Sequence, residues 1–309
     1  MVKKVLCLSH PAYLSFKKGL LIIELPEIKE TANLPQRLKE KGVITRPIED
    51  IAMVILDHRR ITITSAAMEG LLMGNVAIVS CAANGLPLGL HMPLNTNTLQ
   101  SERFRHQIKA SEPLKKQLWQ QTIRQKIDNQ AAVLERYTDA PTGCMKRWAE
   151  DVKSGDTTNV EAKAAVYYWK YLFEEIPDFK REREGIYPNN LLNYGYAILR
   201  AAVARALIGS GLLPTMGIHH HNRYNAYCLA DDVMEPYRPY VDKLVVSMVR
   251  ESAEVQLVKD TKAKLLGVLT KDVKMDNKIY PLMIATQMTS ASIYKCFCGE
   301  VRKILYPEL

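Results

Sequence analysis

The first third of the chain consists of short apolar segments, rich in β-branched residues, that are separated by polar breaks. These segments span residues 2–9, 13–25 with a break at 17–19, 52–56, 60–64, 76–80 and 86–91. Short β-branched runs bounded by turn residues predict strands and hairpins. Residues 66–73, which are followed by Gly74 and Asn75, instead predict one short helix that a glycine closes.

Beyond residue 93 the spacing of apolar residues changes. Apolar side chains recur at i, i+3 and i+4 through residues 103–137, 159–173, 190–211, 225–259, 261–269 and 282–305, which predicts helices. Residues 273–280, with Asp276 and Asn277 at the centre, predict a small hairpin. The polar stretch around residues 95–98 separates the two patterns. We therefore predict an α+β fold: a small β-rich N-terminal domain (1–95), a linker (96–103) and a larger, mostly α-helical domain (104–309).

Composition indicates a globular protein with an anionic partner. The 309 residues are 47% hydrophobic and 24% charged, which is ordinary for a folded domain. A formal net charge of +9 favours a polyanion such as nucleic acid, because lysines and arginines release phosphate counterions. Six cysteines without a CxxC pair indicate reduced thiols. No apolar run approaches the roughly 20 residues that span a bilayer, so we expect no membrane partner and a cytoplasmic location.

An acidic cluster follows a run of three histidines. Asp231, Asp232 and Glu235 come shortly after residues 219–221. If the acidic segment is helical, its carboxylates share roughly one face, where each like-charge pair costs about 0.2–0.5 kcal/mol. A cation, either an arginine or a bound metal, is then expected nearby. The alternative is a solvated face balanced by Arg238 at i,i+3.

Two further features bear on this segment. Pro236 and Pro239 are expected to bend the helix beside the carboxylates, which favours a shaped site. The three consecutive imidazoles point in different directions in an irregular segment, so one of them is the realistic number of ligands.

Glu161 is a third candidate, with two interpretations. Thr158 and Glu161 have the spacing of a capping box, in which both side chains bond free N–H groups at the start of a helix. Glu161 also lies on one stripe with Ala165, Tyr168 and Leu172, so its carboxylate could end a buried face.

The chemistry of these candidates indicates a metal-dependent enzyme. Carboxylates with one imidazole, and no cysteines at zinc spacing, favour Mg²⁺ or Mn²⁺. Such an ion beside basic residues suits phosphodiester chemistry, because it can neutralise charge on the phosphate and on the leaving oxygen. Composition and spacing do not separate hydrolysis from strand transfer.

The chain resembles a known family in several motifs. Residues 217–220 read Gly-Ile-His-His, and residues 229–239 read LADDVMEPYRP. Together with NYGYAIL at 193–199 and the segment 51–63, they resemble the CRISPR-associated "Cas one" endonuclease and integrase family, in the branch that accompanies type II systems. The similarity covers nearly the whole chain.

The resemblance implies site residues. Glu161, His220 and Glu235 match the family's catalytic metal ligands, and Asp232 matches a supporting acidic position. This sequence differs modestly from the family pattern, with His219 where many members have an apolar residue.

The resemblance also implies a function. The family inserts short DNA fragments, called spacers, into a CRISPR repeat array by a transesterification that depends on a divalent ion. Its members act on double-stranded DNA as homodimers, here through the N-terminal domain, bridged by a small "Cas two" partner. The alternatives are a hydrolytic DNA-repair nuclease and a non-catalytic DNA-binding scaffold protein.

Three arginines are candidates for DNA contacts. Arg223 and Arg238 are close to the proposed metal ligands in sequence, and Arg200 lies on a predicted helix. Arg205 is set aside, because five residues along a helix turn it roughly 140° away from Arg200. Ordinary ion pairing or solvation is the alternative role for each of the three.

Overall fold

The protein forms two compact units, residues 1–96 and residues 97–309. The structure is a computed structural model, and it describes residues 3–29, 42–94, 97–182, 185, 187–252 and 255–309. Val2, in the first predicted strand, and residues 95 and 96, at the predicted boundary, lie outside the described residues. Strands fill the first unit and helices dominate the second, so the predicted α+β class is confirmed.

The described residues of the first unit form two four-stranded sheets. One has the order β1-β5-β7-β8, in which β7 and β8 are antiparallel and the other pairs are parallel; the second has the order β4-β3-β2-β6. The elements of this unit are β1 (Lys4–Leu8), β2 (Ala12–Lys17), β3 (Leu20–Glu24), α1 (Pro26–Lys29), β4 (Val43–Pro47), β5 (Ile51–Leu56), β6 (Ile61–Ile63), α2 (Ser65–Met73), β7 (Ala77–Cys81) and β8 (Pro87–His91).

The hydrophobic core accounts for the apolar patterns of the strands in this unit. Leu14 on β2 pairs with Ile23 on β3, and both side chains are buried. Ile51 and Val54 of β5 belong to the same cluster, and β5 is an inner strand of its sheet that is buried almost throughout. A continuous apolar run is typical of such a strand.

The strand β4 was not predicted from the sequence. It pairs with β3 at the edge of its sheet, and all five of its residues are partly or fully exposed. An edge strand has no second neighbour to bury it, so Arg46 and Pro47 are tolerated and the apolar pattern is weak.

Helices form most of the second unit. They are α3 (Gln100–Lys109), α4 (Glu112–Tyr137), α5 (Gly143–Asp151), α6 (Val160–Leu172), α7 (Asn189–Gly209), α8 (Cys228–Met234), α9 (Arg238–Glu251), α10 (Lys259–Leu266) and α11 (Leu282–Phe297). The predicted hairpin is present as β9 (Asp272–Met275) and β10 (Lys278–Pro281), and the helix α5 was not predicted.

Two predicted helices are each divided. The segment 103–137 breaks near Ser111, whose hydroxyl accepts a bond from the Leu114 N–H and thereby caps α4, with Pro113 in its first turn. The helix before this break begins at Gln100, inside the expected linker 96–103. The segment 225–259 breaks at a 3₁₀ turn, Glu235–Tyr237, beside the two prolines that predicted a bend.

The long helix α7 forms part of the core of the second unit. By length and composition it could cross a membrane, but 78% of its most apolar window is buried inside the fold. Such burial is typical of the central helix of a folded unit. Arg205 on this helix is 4% exposed, so its side chain lies in the interior.

Candidate active site

A buried lysine joins two glutamates that are far apart in sequence. Lys126, in the middle of α4, places its Nζ 2.5 Å from Oε1 of Glu161 and 2.6 Å from Oε2 of Glu235. Glu161 lies in the first turn of α6, and Glu235 begins the 3₁₀ turn between α8 and α9. Three separate parts of the second unit therefore converge on one cation.

Burial and charge act against each other at this cluster. Burial alone would lower the pKa of Lys126, but ion pairing with Glu235 and Glu161 outweighs it and raises the pKa, so the ammonium stays charged. Burial likewise would raise the pKa of Glu235, yet Arg238 and Lys126 hold it below its usual value. Glu235 is therefore ionised even though it is only 4% exposed.

The start of α6 is capped by a residue that the capping-box pattern did not indicate. Asp156 accepts hydrogen bonds from the backbone N–H groups of Val160 (2.9 Å) and Glu161 (3.0 Å). Thr158 is not the N-cap residue, which is Asn159. The carboxylate of Glu161 is therefore released from capping and pairs with Lys126, as the buried-face interpretation anticipated.

Asp232 organises the histidine segment. It is fully buried and accepts hydrogen bonds from three backbone N–H groups, those of Ile218 (2.7 Å), His219 (2.9 Å) and His220 (3.2 Å). Its Oδ1 also lies 2.5 Å from Nδ1 of His220. A Cβ added at Gly217 would come within 2.3 Å of the His220 carbonyl oxygen, so only glycine fits this turn.

The three imidazoles have different surroundings, as expected. His219 stacks on Trp119 with ring centroids 4.1 Å apart, and burial lowers its pKa. The hydrogen bond with Asp232 raises the pKa of His220, and Glu235 and Glu161 are near enough to add to that effect. His221 is exposed. His220 is thus the imidazole beside the paired glutamates.

The carboxylates at 231, 232 and 235 do not form one shared face. Asp231 pairs with Arg200 at 2.6 Å and accepts a bond from Asn225 at 2.7 Å. Asp232 turns to the histidine segment, while Glu235 turns to Lys126 and Arg238. Each carboxylate has its own cationic or N–H partners, which removes the repulsion that a common face would create. All three are buried, so the solvated-face alternative is wrong.

The candidate DNA-contacting arginines differ in exposure. Arg200 keeps 40% of its side chain exposed while it pairs with Asp231. Arg238 keeps 28%, with Nε 2.9 Å from Oε1 of Glu235. Arg223 is exposed beside Tyr224, whose ring lies 4.7 Å from the guanidinium carbon. Arg223 is therefore the candidate with most freedom to contact a phosphate.

A buried acid lies behind the site. Asp242 on α9 accepts hydrogen bonds from the hydroxyls of Tyr168, at 3.0 Å, and Tyr196. Burial raises its pKa to about 7, against the lowering effect of these bonds. The guanidinium of Arg238 lies over the ring of Tyr196, 4.8 Å from its centroid. This layer supports the arginine that contacts Glu235.

The carboxylate oxygens and the imidazole nitrogen of this cluster are the types of ligand that a hard divalent ion accepts. Oε2 of Glu235 is buried and makes no aligned hydrogen bond, although Lys126 Nζ lies close to it, and a second carboxylate and an imidazole are adjacent. A histidine held by a carboxylate, as His220 is by Asp232, is the usual arrangement around a metal ligand. Within the described ranges, no three His, Cys, Asp or Glu side chains converge closely enough to hold an ion as they stand.

Comparison with known proteins identifies related chains. The family model for the CRISPR associated protein Cas1 matches residues 8–272. The CRISPR-associated endonuclease Cas1 of Neisseria meningitidis serogroup C (strain 8013) is 37% identical over 243 residues, which cover 78% of this chain and 79% of that protein.

Solved structures share the fold. A casposase bound to an integration product superposes with a TM-score of 0.78 at 21% identity, covering 98% of this chain and 92% of that one. A chain of a Cas6-RT-Cas1–Cas2 complex gives a TM-score of 0.72 at 18% identity, covering 97% of this chain and 35% of that one.

Proposed function

Because the chain belongs to the CRISPR-associated Cas1 family, we propose that it is a divalent-metal-dependent DNA endonuclease and integrase that inserts spacers into a CRISPR repeat array. The observation that carries the proposal is the meeting of Glu161 and Glu235 at one buried cation, beside an imidazole held by Asp232. An ion pair with a purely structural role would need neither the second carboxylate nor a histidine held in one orientation.

Glu161, His220 and Glu235 would hold the ion, with Asp232 in support. Asp232 fixes the ring of His220 through Nδ1, which leaves Nε2 as the nitrogen able to bind a metal. A bound Mg²⁺ or Mn²⁺ would neutralise negative charge on the reacting phosphate and on the leaving oxygen. The preference of carboxylate oxygens for hard ions supports these two metals over zinc.

The reaction needs no external energy source. The 3′-hydroxyl oxygen of the incoming DNA forms a bond to phosphorus, and the bond from that phosphorus to a 3′-oxygen of the array breaks. One phosphodiester is made for each one lost, and the hydroxyl proton ends on the departing 3′-oxygen. With water as the nucleophile, the same residues would cleave DNA by hydrolysis.

Assembly on DNA follows from the family and the charge. We propose a cytoplasmic homodimer, joined through residues 1–95 and bridged by a Cas2 partner. Support comes from the neighbouring chain described in a Cas6-RT-Cas1–Cas2 complex and from the net charge of +9. Arg223 is proposed to contact DNA phosphate, and Arg200 and Arg238 to do so next to the site.

An integration assay tests the function. Wild-type protein, with Cas2 and Mn²⁺, is given a short duplex with 3′-hydroxyl ends and a plasmid that carries a repeat array. We expect joined products from wild type and none from E161Q or E235Q, whose DNA binding should persist. The same duplex with dideoxy ends is the control, because it has no nucleophile. Nicked but never joined plasmid would indicate the repair-nuclease alternative, and full activity in both variants would indicate that the assigned ligands are wrong.

A further inference from the structure

Lys126 is built into the fold at the point where the two proposed ligands meet. It stands in the middle of a 26-residue helix, α4, and only 8% of it is exposed. One turn later on the same helix, Asn129 donates to the carbonyl oxygen of Pro236 at 2.8 Å. That bond fixes α4 against the turn that carries Glu235, so the backbone of Lys126 is held at a set position relative to Glu235.

The oxygen atoms that Lys126 contacts are the ones a shared ion would need. Oε1 of Glu235 already faces Arg238, which leaves Oε2 for Lys126. Oε1 of Glu161 and Oε2 of Glu235 can be no farther apart than about 5.1 Å, the sum of their distances of 2.5 Å and 2.6 Å to Nζ. Two carboxylate oxygens this close repel strongly unless a cation lies between them, because Oε2 of Glu235 is buried and the side chain of Glu161 is only 26% exposed.

The local charge is balanced without a metal. The positive charges of Lys126 and Arg238 cancel the negative charges of Glu161 and Glu235. A divalent ion that bound the same two oxygen atoms would meet a positive charge already in position. The ion and the ammonium therefore compete for one place, since like charges at such short distances in a buried site exclude each other.

We propose that Lys126 is a resident counter-cation that holds Glu161 and Glu235 at ligand spacing in the metal-free protein and is displaced when a divalent ion binds. This inference rests on the proposed function, because it requires that the two glutamates are ligands. Lys126 is a positioning residue in this role: it keeps the site assembled without metal, and it raises the ion concentration that the enzyme needs.

Removal of the charge tests the role directly. In the full-length protein, K126M keeps the length of the side chain but lacks the ammonium. Free Mn²⁺ is measured by electron paramagnetic resonance during titration, and thermal unfolding is followed with EDTA and with saturating Mn²⁺. We expect K126M to bind Mn²⁺ about tenfold more tightly than wild type, on the scale by which groups next to metal ligands change affinity. We also expect a lower Tm in EDTA and a larger rise in Tm on adding Mn²⁺.

A matched control lies on the same helix. Lys115 pairs with Glu112 at 2.9 Å in the first turns of α4, away from the site. K115M should leave the affinity for Mn²⁺ and the Tm rise on adding Mn²⁺ at their wild-type values. This comparison distinguishes the effect of removing the Lys126 ammonium from the effect of removing a lysine elsewhere on α4.

The outcomes distinguish this inference from the proposed function. If E161Q loses Mn²⁺ binding while K126M binds the ion no more tightly than wild type, the ligand assignment stands and the role of Lys126 is overturned. If E161Q binds Mn²⁺ like wild type, both are overturned. A K126M protein that remains unfolded at saturating Mn²⁺ also overturns the inference, because the ion would then not replace the ammonium.

Discussion

Replacement of Asp232 should cost much more stability than replacement of its neighbour Asp231. Oδ2 of Asp232 accepts the backbone N–H groups of Ile218 and His219, at 2.7 Å and 2.9 Å, in a site that is closed to water. A buried donor that is left without an acceptor costs about 1–3 kcal/mol. D232A leaves both of these donors without their acceptor, so we expect a loss of about 2–6 kcal/mol in the free energy of unfolding.

The asparagine variants make the comparison sharper. D232N keeps one acceptor oxygen, but its amide nitrogen faces either the backbone donors or the ring of His220, so we expect a loss of about 1–3 kcal/mol. D231N keeps an oxygen for Asn225 but turns its amide nitrogen towards Nε of Arg200. The side chain of Arg200 is 40% exposed and can bond water instead, so we expect a loss of about 1 kcal/mol.

Urea unfolding, followed by circular dichroism, measures these differences. The variants should shift the midpoint without changing the slope with denaturant, because the surface exposed on unfolding is the same. D232N should also weaken Mn²⁺ binding, since the orientation of His220 is no longer fixed. A D232N protein that is as stable as D231N would refute the view that Asp232 holds the histidine segment in place.

Three other predictions concern the surroundings of the site. G217A should lower the Tm and weaken Mn²⁺ binding, because its Cβ would press on the His220 carbonyl oxygen; unchanged values in both measurements would contradict the tight turn. Asp242 has a pKa that burial raises from 3.8 to about 7, so its contribution to stability is complete below pH 4 and is lost as the pH rises towards 7. D242N should remove this fall, of up to about 4 kcal/mol, from unfolding free energies measured between pH 4 and 7; a persistent fall would assign it to another group. R223A should weaken binding to all duplex sequences alike and reduce the salt slope of log K by about 1, and a sequence-dependent loss in a binding titration would argue against a phosphate contact.

The sequence predicts elements well where burial imposes a period on them. The predicted bounds of strand β5 and helix α6 agree with the structure within one or two residues. Nearly all of β5 is buried and one face of α6 is buried, so both segments must be apolar in a regular pattern. Edge strand β4 and helix α5 were not predicted, since no residue of β4 is buried and most of α5 is exposed. The division of residues 103–137 is visible in the sequence only as Ser111 and Pro113, signals that a strong helical period outweighed.

The candidate site could be predicted only in part. His220, Asp232 and Glu235 lie close in sequence, and the family pattern supplied Glu161; the family itself is confirmed by the match over residues 8–272. Lys126 was missed because a lysine inside a long helix is normally solvated. Its one signal is a position three residues after Ile123 and seven after Trp119, on the apolar stripe of α4.

The bonds of Asn129 bear on when the site can exist during synthesis. Its amide donates both to Pro236 and to the carbonyl oxygen of Pro307, so α4 is anchored by a segment that follows Glu161 by roughly 150 residues. At about 5–20 residues per second, the ribosome needs roughly 7–30 s to supply that segment after Glu161. A nascent chain therefore lacks one of the two bonds that anchor Asn129 until Pro307 has been synthesised, so the helix that carries Lys126 gains its full support late in synthesis.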